Sequence, residues 1–358
     1  MPVFASGSLI DDNFYNSLES YLNFRNPFRA EYIKSTSWLD VIIFKTSSTA
    51  NVHRGLNNWM YYRPAIKSFL KADCPKKVKA FELAKSIHRL EERLKKTGKR
   101  FVFVVAPDKA TIYPEYMGGV REANDCGKNF YDLFLEALKK YPVKGFVRLD
   151  QRFLEEKKTN LLYYTGGTHW NDRGAALAAK LILEKLSTPN VSYRLPHIDF
   201  REKKILSESA PMLSVDLYEL TPVAHTIRFQ ADVKTDNIEA LPFFPGEWTK
   251  IRTTSHCPSC RPLLPKAIIY RDSFMTSTLK FIKGSFEEIY ARWSSVFPEA
   301  TRSGVRELAT SDIVIIEIAE RDMDKLKIMS QSATEKVLGK RAEQKKLQHA
   351  LSPQATAP

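Results

Sequence analysis

Three stretches of this chain are apolar or broken by a single acid, and they restrict its fold more than any other feature. They are Phe101-Val102-Phe103-Val104-Val105, Ala267-Ile268-Ile269 and the run at 313–318. Each is too short for a buried helix and too continuous for a strand with one wet face. Runs of this kind are strands covered on both sides, as in parallel sheets flanked by helices. Between them, apolar residues recur at helical spacing. Residues 76–96 place Val78, Phe81, Ala84, Ile87, Leu90 and Leu94 on one face and stop near Gly98. Helices are also predicted over 130–140, over 171–186, after the strand that ends at Tyr270 and on to about Lys283, and over 302–309. Weaker strands are predicted at 146–149 and 288–293. Strands alternating with helices predict an α/β protein built on a parallel sheet.

The flanks read differently. Residues 12–44 have helical periodicity broken at Pro27, and 51–62 give a hairpin signal around Gly55-Leu56-Asn57-Asn58. Residues 193–260 are irregular and punctuated by proline, which suggests a decoration of the core, and 326–358 fade from a polar helix into a tail. The expected organisation is an N-terminal helical and hairpin segment at 1–65, a core domain at 66–325 with an insertion near 190–262, and the tail. With 358 residues, 43% of them hydrophobic, a full core is available. The apolar runs are too short to cross a bilayer, and the start at Met1-Pro2-Val3-Phe4 carries no leader pattern.

A net charge of +14 favours anionic partners. The basic residues are dispersed, however, and no zinc-finger or RNA-binding signature accompanies them, so nucleic acid is not expected. Of four cysteines, Cys257 and Cys260 have CxxC spacing without a second such pair, which argues for a local structural role over a zinc site. Cys74 and Cys126 contribute only if the fold brings them together.

In sheets of this class, ligands sit beyond the carboxyl ends of the strands. Asp272 and Ser273 follow one buried run directly, and Pro107, Asp108 and Lys109 follow another. A serine at the first turn of a helix has unpaired backbone N–H groups beside it, part of an oxyanion site. The same residue is equally an ordinary helix cap. His169 stands after the flexible Gly166 and Gly167 and before a helix that Asn171 or Asp172 caps; it is either a base or a histidine satisfied by a nearby carbonyl. Lys109 and Tyr113 are placed to face the same cleft, and Arg321 to orient Asp272 or, as the resemblance described below implies, to bind an anionic sugar. Salt-bridge or packing roles serve these three as well.

Four motifs occur in one order: Pro107-Asp108-Lys109-Ala110-Thr111-Ile112-Tyr113-Pro114, Thr168-His169-Trp170-Asn171 with Gly174-Ala175, Arg271-Asp272-Ser273-Phe274, and the stretch from Asp312 to Arg321. That order resembles the SGNH-hydrolase-like alginate O-acetyltransferase family, as does the earlier stretch from Val52 to Tyr61. The resemblance implies a three-layer α/β/α, SGNH-like (flavodoxin-like) parallel sheet in which histidine precedes serine along the chain. It implies Ser273 as nucleophile and His169 as base, with acetyl carried on Ser273 and passed to a hydroxyl of an acidic or neutral polysaccharide. It implies no cofactor; a membrane-bound acyl-transfer partner or a small molecule would supply acetyl, in the periplasm or at the outer face of the inner membrane. One position departs from the family pattern. An aspartate often stands two residues before the histidine, and here that residue is Gly167. Asp172, Asp150, Asp272 or a carbonyl are the replacements, and sequence leaves the choice open. An esterase on the same fold, and a catalytically weak glycan-binding subunit, are the alternative readings.

Overall fold

The structure is a computed structural model that describes residues 51–72, 74–120, 126–187, 198–205, 226–233, 238–240, 248–253, 263–297 and 302–328. The helix expected over 12–44, the CxxC pair at Cys257 and Cys260 and the tail beyond Ile328 lie outside the described residues. In chain order the strands are β1 (Val52–Arg54), β2 (Met60–Tyr62), β3 (Arg100–Ala106), β4 (Phe146–Arg148), β5 (Ile198–Ile205), β6 (Thr226–Val233), β7 (Ile238–Ala240), β8 (Trp248–Thr253), β9 (Ala267–Arg271), β10 (Glu288–Trp293), β11 (Val296–Phe297), β12 (Ile313–Ala319) and β13 (Lys327–Ile328). The helices are α1 (Arg63–Phe69), α2 (Lys77–Lys96), α3 (Lys109–Ile112), α4 (Phe130–Leu138), α5 (Leu149–Glu156), α6 (Asp172–Leu186), α7 (Phe274–Ile282) and α8 (Arg302–Thr310).

The central sheet has seven strands in the order β4-β3-β12-β9-β10-β8-β7. From β4 to β10 every pairing is parallel, and β8 and β7 extend the sheet antiparallel. The three apolar runs are β3, β9 and β12, the innermost strands. Their side chains alternate between two cores. Val102, Val104, Ile269 and Ile315 pack with α6 and α7 on one side, through residues such as Ala179, Ile182 and Phe281. Phe103, Val105, Tyr270 and Val314 pack with α2 and α4 on the other, against Ile87, Leu90 and Phe134. Burial on both faces is why these strands contain no polar alternation, and the layers are those expected of a covered parallel sheet.

The insertion is more ordered than its sequence suggests. β5 and β6 pair antiparallel over their full length, and β8 joins β10, so the insertion supplies one edge of the main sheet. Cys74 and Cys126 form a disulfide across a sequence separation of 52. β1 and β2 make the expected hairpin, and it packs on the core: Trp59 stacks on Tyr116 with ring centroids 4.5 Å apart, and the Tyr61 hydroxyl donates to the Tyr113 carbonyl at 2.6 Å.

Candidate active site

The carboxyl ends of β3, β9, β10 and β12 meet at one rim, and the site is built there. β9 ends at Arg271, and the chain turns through Asp272 and Ser273 into α7. Asp272 makes this turn rigid. Its Oδ1 accepts from the Phe274 amide at 2.8 Å, its Oδ2 from the Ala319 amide at 2.6 Å, and its own amide donates to Glu317 Oε2 at 3.0 Å. The start of α7 is thereby tied to the end of β12. One helix-start amide expected to be open, that of Phe274, is taken by Asp272. The Ser273 amide has no partner among the described residues.

His169 reaches the same point from a segment about a hundred residues earlier. Its Nε2 lies 2.7 Å from Ser273 Oγ, hydrogen-bonding distance for a base and an alcohol. The imidazole meets the Phe274 ring edge to face, with centroids 4.8 Å apart. Its neighbours are anchored on both sides. Trp170 Nε1 donates to the Phe274 carbonyl at 3.1 Å and to Ser277 Oγ at 2.8 Å, which docks the histidine segment on α7. Asn171 caps α6, its Oδ1 accepting from Arg173 and Gly174 at 2.9 and 3.1 Å. Gly174 is required by close packing, because a Cβ there would stand 2.5 Å from the Leu162 carbonyl oxygen and 2.7 Å from Trp170 Cβ.

Lys109 does not face the cleft. Its side chain is buried, and Nζ donates to the carbonyls of Tyr164, Thr165 and Gly167 at 3.0, 2.9 and 2.6 Å. The faces of Trp59 and Tyr61 lie 5.5 and 5.1 Å away. A buried ammonium needs several acceptors to offset lost hydration, and the loop leading to His169 provides them. Tyr113 is buried as well, its hydroxyl accepting from the Leu162 amide at 3.0 Å. Both expectations of cleft-facing side chains are therefore corrected: these residues support the histidine loop from beneath.

The other carboxylates divide their work. Asp172, at the start of α6, pairs with Lys280 of α7 at 3.0 Å, joining the two helices that begin just after His169 and Ser273. Asp150 accepts from the Tyr131 hydroxyl at 3.0 Å and from Arg148 Nε at 3.1 Å. Arg321 lines the cleft but forms its ion pair with Asp108, with the faces of Tyr62 and Phe274 5.3 and 5.4 Å away. It meets the β3 aspartate, not Asp272 as expected for an orienting role.

Burial sets the protonation of this rim. Glu317 is pushed well above the carboxylate range by burial and by Asp272 beside it. Burial, then the nearby Asp108, raises Glu320 to about 8. Asp108 is also raised by burial, against the pull of Arg321. Burial lowers Arg271 to about 10.

The serine–histidine pair opens into a cleft of about 770 Å3, whose walls include Tyr62, Asp272, Trp293, Ser294, Arg321 and Lys325. Through Asn51, Arg321 and Lys325 it adjoins a second cleft of about 490 Å3, where Arg63, Lys67, Lys76 and Lys79 make the wall basic. Among the described residues, no group of three or more histidine, cysteine, aspartate and glutamate side chains is placed to hold a metal ion. Sequence reasoning passed over Trp293 and Tyr62. An aromatic at a strand end reads as core until its neighbours are known.

Fold and rim together define a class: an SGNH hydrolase-like α/β domain with a serine at the end of a central strand and a histidine approaching from an earlier segment. The chain belongs to the family of the AlgX acetyltransferase SGNH hydrolase-like domain, whose model matches residues 52–239, just over half of its length. The matched stretch contains His169, and Ser273 lies beyond it. Among solved structures, the O-acetyltransferase domain of Pseudomonas putida AlgJ is similar at 17% identity and TM-score 0.50, over 81% of this chain and 99% of that one. Bacillus cereus PatB1 is similar at 13% identity and TM-score 0.53, over 76% of this chain and 98% of that one, and it has also been solved with a sulfonyl adduct. At these identities the likeness establishes the fold. No protein of curated function matches the chain in sequence.

Proposed function

We propose that this protein is an O-acetyltransferase that carries acetyl on Ser273 and delivers it to a hydroxyl of a cell-envelope or exported polysaccharide. The observation that carries this reading is the 2.7 Å separation of His169 Nε2 and Ser273 Oγ at the mouth of an open cleft. As Oγ attacks the acetyl carbonyl of a donor ester, Nε2 takes the hydroxyl proton. The Ser273 amide is the donor available to the developing oxyanion. Proton return from His169 to the leaving oxygen completes acetyl-Ser273. A sugar hydroxyl then gives its proton to His169, attacks the acetyl carbon, and releases Ser273. Water in the acceptor's place would make the same acyl-enzyme an esterase.

Gly167 supplies no carboxylate to orient the imidazole. In this reading the orientation comes from the backbone, with Lys109 fixing the Gly167 carbonyl and Trp170 docking on α7. The basic wall of the adjoining cleft supports an anionic acceptor over a neutral one. The Cys74–Cys126 disulfide supports an oxidising compartment such as the periplasm. Among the described residues no helix is long and apolar enough to cross a membrane; in this reading acetyl comes from a membrane-bound acyl-transfer partner or from a small molecule.

The test is trapping. Incubated with an acetyl ester, the wild-type protein should gain one acetyl group by intact mass, and a sulfonyl fluoride should label the same residue. Ser273→Ala should lose the adduct and ester turnover together. Full turnover in that variant would overturn the proposal.

A further inference from the structure

We propose that Trp293 is the platform on which a sugar ring of the acceptor chain stacks beside Ser273; the identity of the acceptor as a glycan rests on the acetyltransfer reading above. Trp293 ends β10 and pairs in register with Arg271, two residues before the serine. The Ser294 amide donates to the Arg271 carbonyl at 3.1 Å, so the turn bearing the indole is fastened to the strand bearing the nucleophile. Among the described residues the exposed large apolar side chains are Leu56, Val78, Leu154, Val296 and Trp293, the last 41% exposed and the aromatic one among them. Trp293 is also the member of that group that lines the cleft with Ser273 and His169.

Tryptophan carries the largest apolar surface of any side chain, and leaving it in water at a cleft wall forgoes the burial that core packing would give. Here the ring is braced. The Arg271 guanidinium lies over it 5.9 Å from its centroid and is itself buried, while the indole stays partly exposed to the cleft. The same cleft offers hydroxyls at Ser294 and Ser295 and charges at Arg321, Asp322 and Lys325. An apolar plate in a cleft with such hydrogen-bonding groups matches a pyranose, which has C–H bonds on its faces and hydroxyls at its perimeter. A fatty acyl chain would leave those polar groups unpaired. Tyr62, backed by Arg321 as Trp293 is by Arg271, gives the same cleft a second aromatic wall.

Binding without turnover tests this. In the Ser273→Ala background, a hexuronate pentamer and cellopentaose are titrated by calorimetry and indole fluorescence against the full chain. At least one pentamer should bind. Trp293→Leu should weaken that binding roughly tenfold, and Trp293→Phe, which keeps an aromatic face, by less than about threefold. Near-UV dichroism and thermal melting check that both variants are folded. Equal affinity in Trp293→Leu, or binding of neither pentamer, would overturn the assignment. The two proposals fail separately: absence of acetyl-Ser273 in the wild type sinks the acetyltransfer reading and leaves the binding result intact, whereas undiminished binding in Trp293→Leu sinks the platform alone.

Discussion

At the level of single residues, the rim behind Ser273 is held by acids whose charge burial disfavours. Glu320 accepts from the Asp108 amide at 3.0 Å and the Thr111 hydroxyl at 2.7 Å, and it sits near the Asp108 and Asp150 carboxyls and the Arg321 ion pair. Its pKa in the folded protein is about 8, above an ordinary 4.5. Between those values the folded chain holds a proton that the unfolded chain has released. The stabilisation is therefore complete below the lower value and is lost as pH rises through the upper one. Asp108 and Glu317 shift the same way. The expected outcome is a melting temperature that falls from about pH 5 to about pH 8, with a shallower fall in Glu320→Gln, which mimics the neutral acid. Parallel melting curves for the two proteins would contradict this. Ser273 and His169 were legible from motif order because each has a distinctive local setting, a strand end and a glycine loop. Glu317 and Glu320 were not, since an acid in an apolar strand gives no clue to its partners until the strands are aligned.

The elements around the site act as a frame for one loop. Tyr164, Thr165 and Gly167 present their carbonyls to Lys109 at the start of α3, and the Met60 amide on β2 donates to the Thr165 carbonyl at 2.9 Å. Three segments far apart in sequence thus define where His169 stands. Lys109→Met keeps the stem and removes the ammonium. It should cost about 3 kcal/mol of stability in denaturant unfolding, because buried carbonyls lose their donor. Ester turnover should fall roughly 10- to 100-fold, since a displaced base is a poor one. Stability loss with unchanged turnover would show that the loop holds its shape unaided. The central strands and most helices were readable because burial on both faces, or on one helical stripe, leaves a periodic trace. β5 to β8 were read as irregular because charged runs such as that from Arg201 to Lys204 and the surrounding prolines hide a pattern that only pairing with β6 and β10 completes. Lys109 was misplaced for a related reason: a lysine after a strand resembles a surface residue, and the three acceptors that bury it lie more than fifty residues away.

On the scale of the whole molecule, the Cys74–Cys126 link closes a loop that includes α2, β3 and α3. A cross-link over a separation of 52 residues limits the unfolded chain, and its removal in Cys74→Ser/Cys126→Ser should cost about 3–4 kcal/mol by denaturant titration. Unchanged stability, or no shift on adding reductant to the wild type, would refute a structural disulfide. Sequence could not pair these cysteines, since nothing in either neighbourhood points to the other. The sheet order carries a separate consequence. β12, contributed near the end of the described chain, lies between β3 and β9, and the strand that leads to the serine has β12 as one of its two neighbours. A polypeptide that stops between α7 and β12 therefore carries both the imidazole and the alcohol but lacks the strand that lies between β3 and β9. Such copies lack both tethers that Asp272 makes to β12, through Glu317 and through the Ala319 amide.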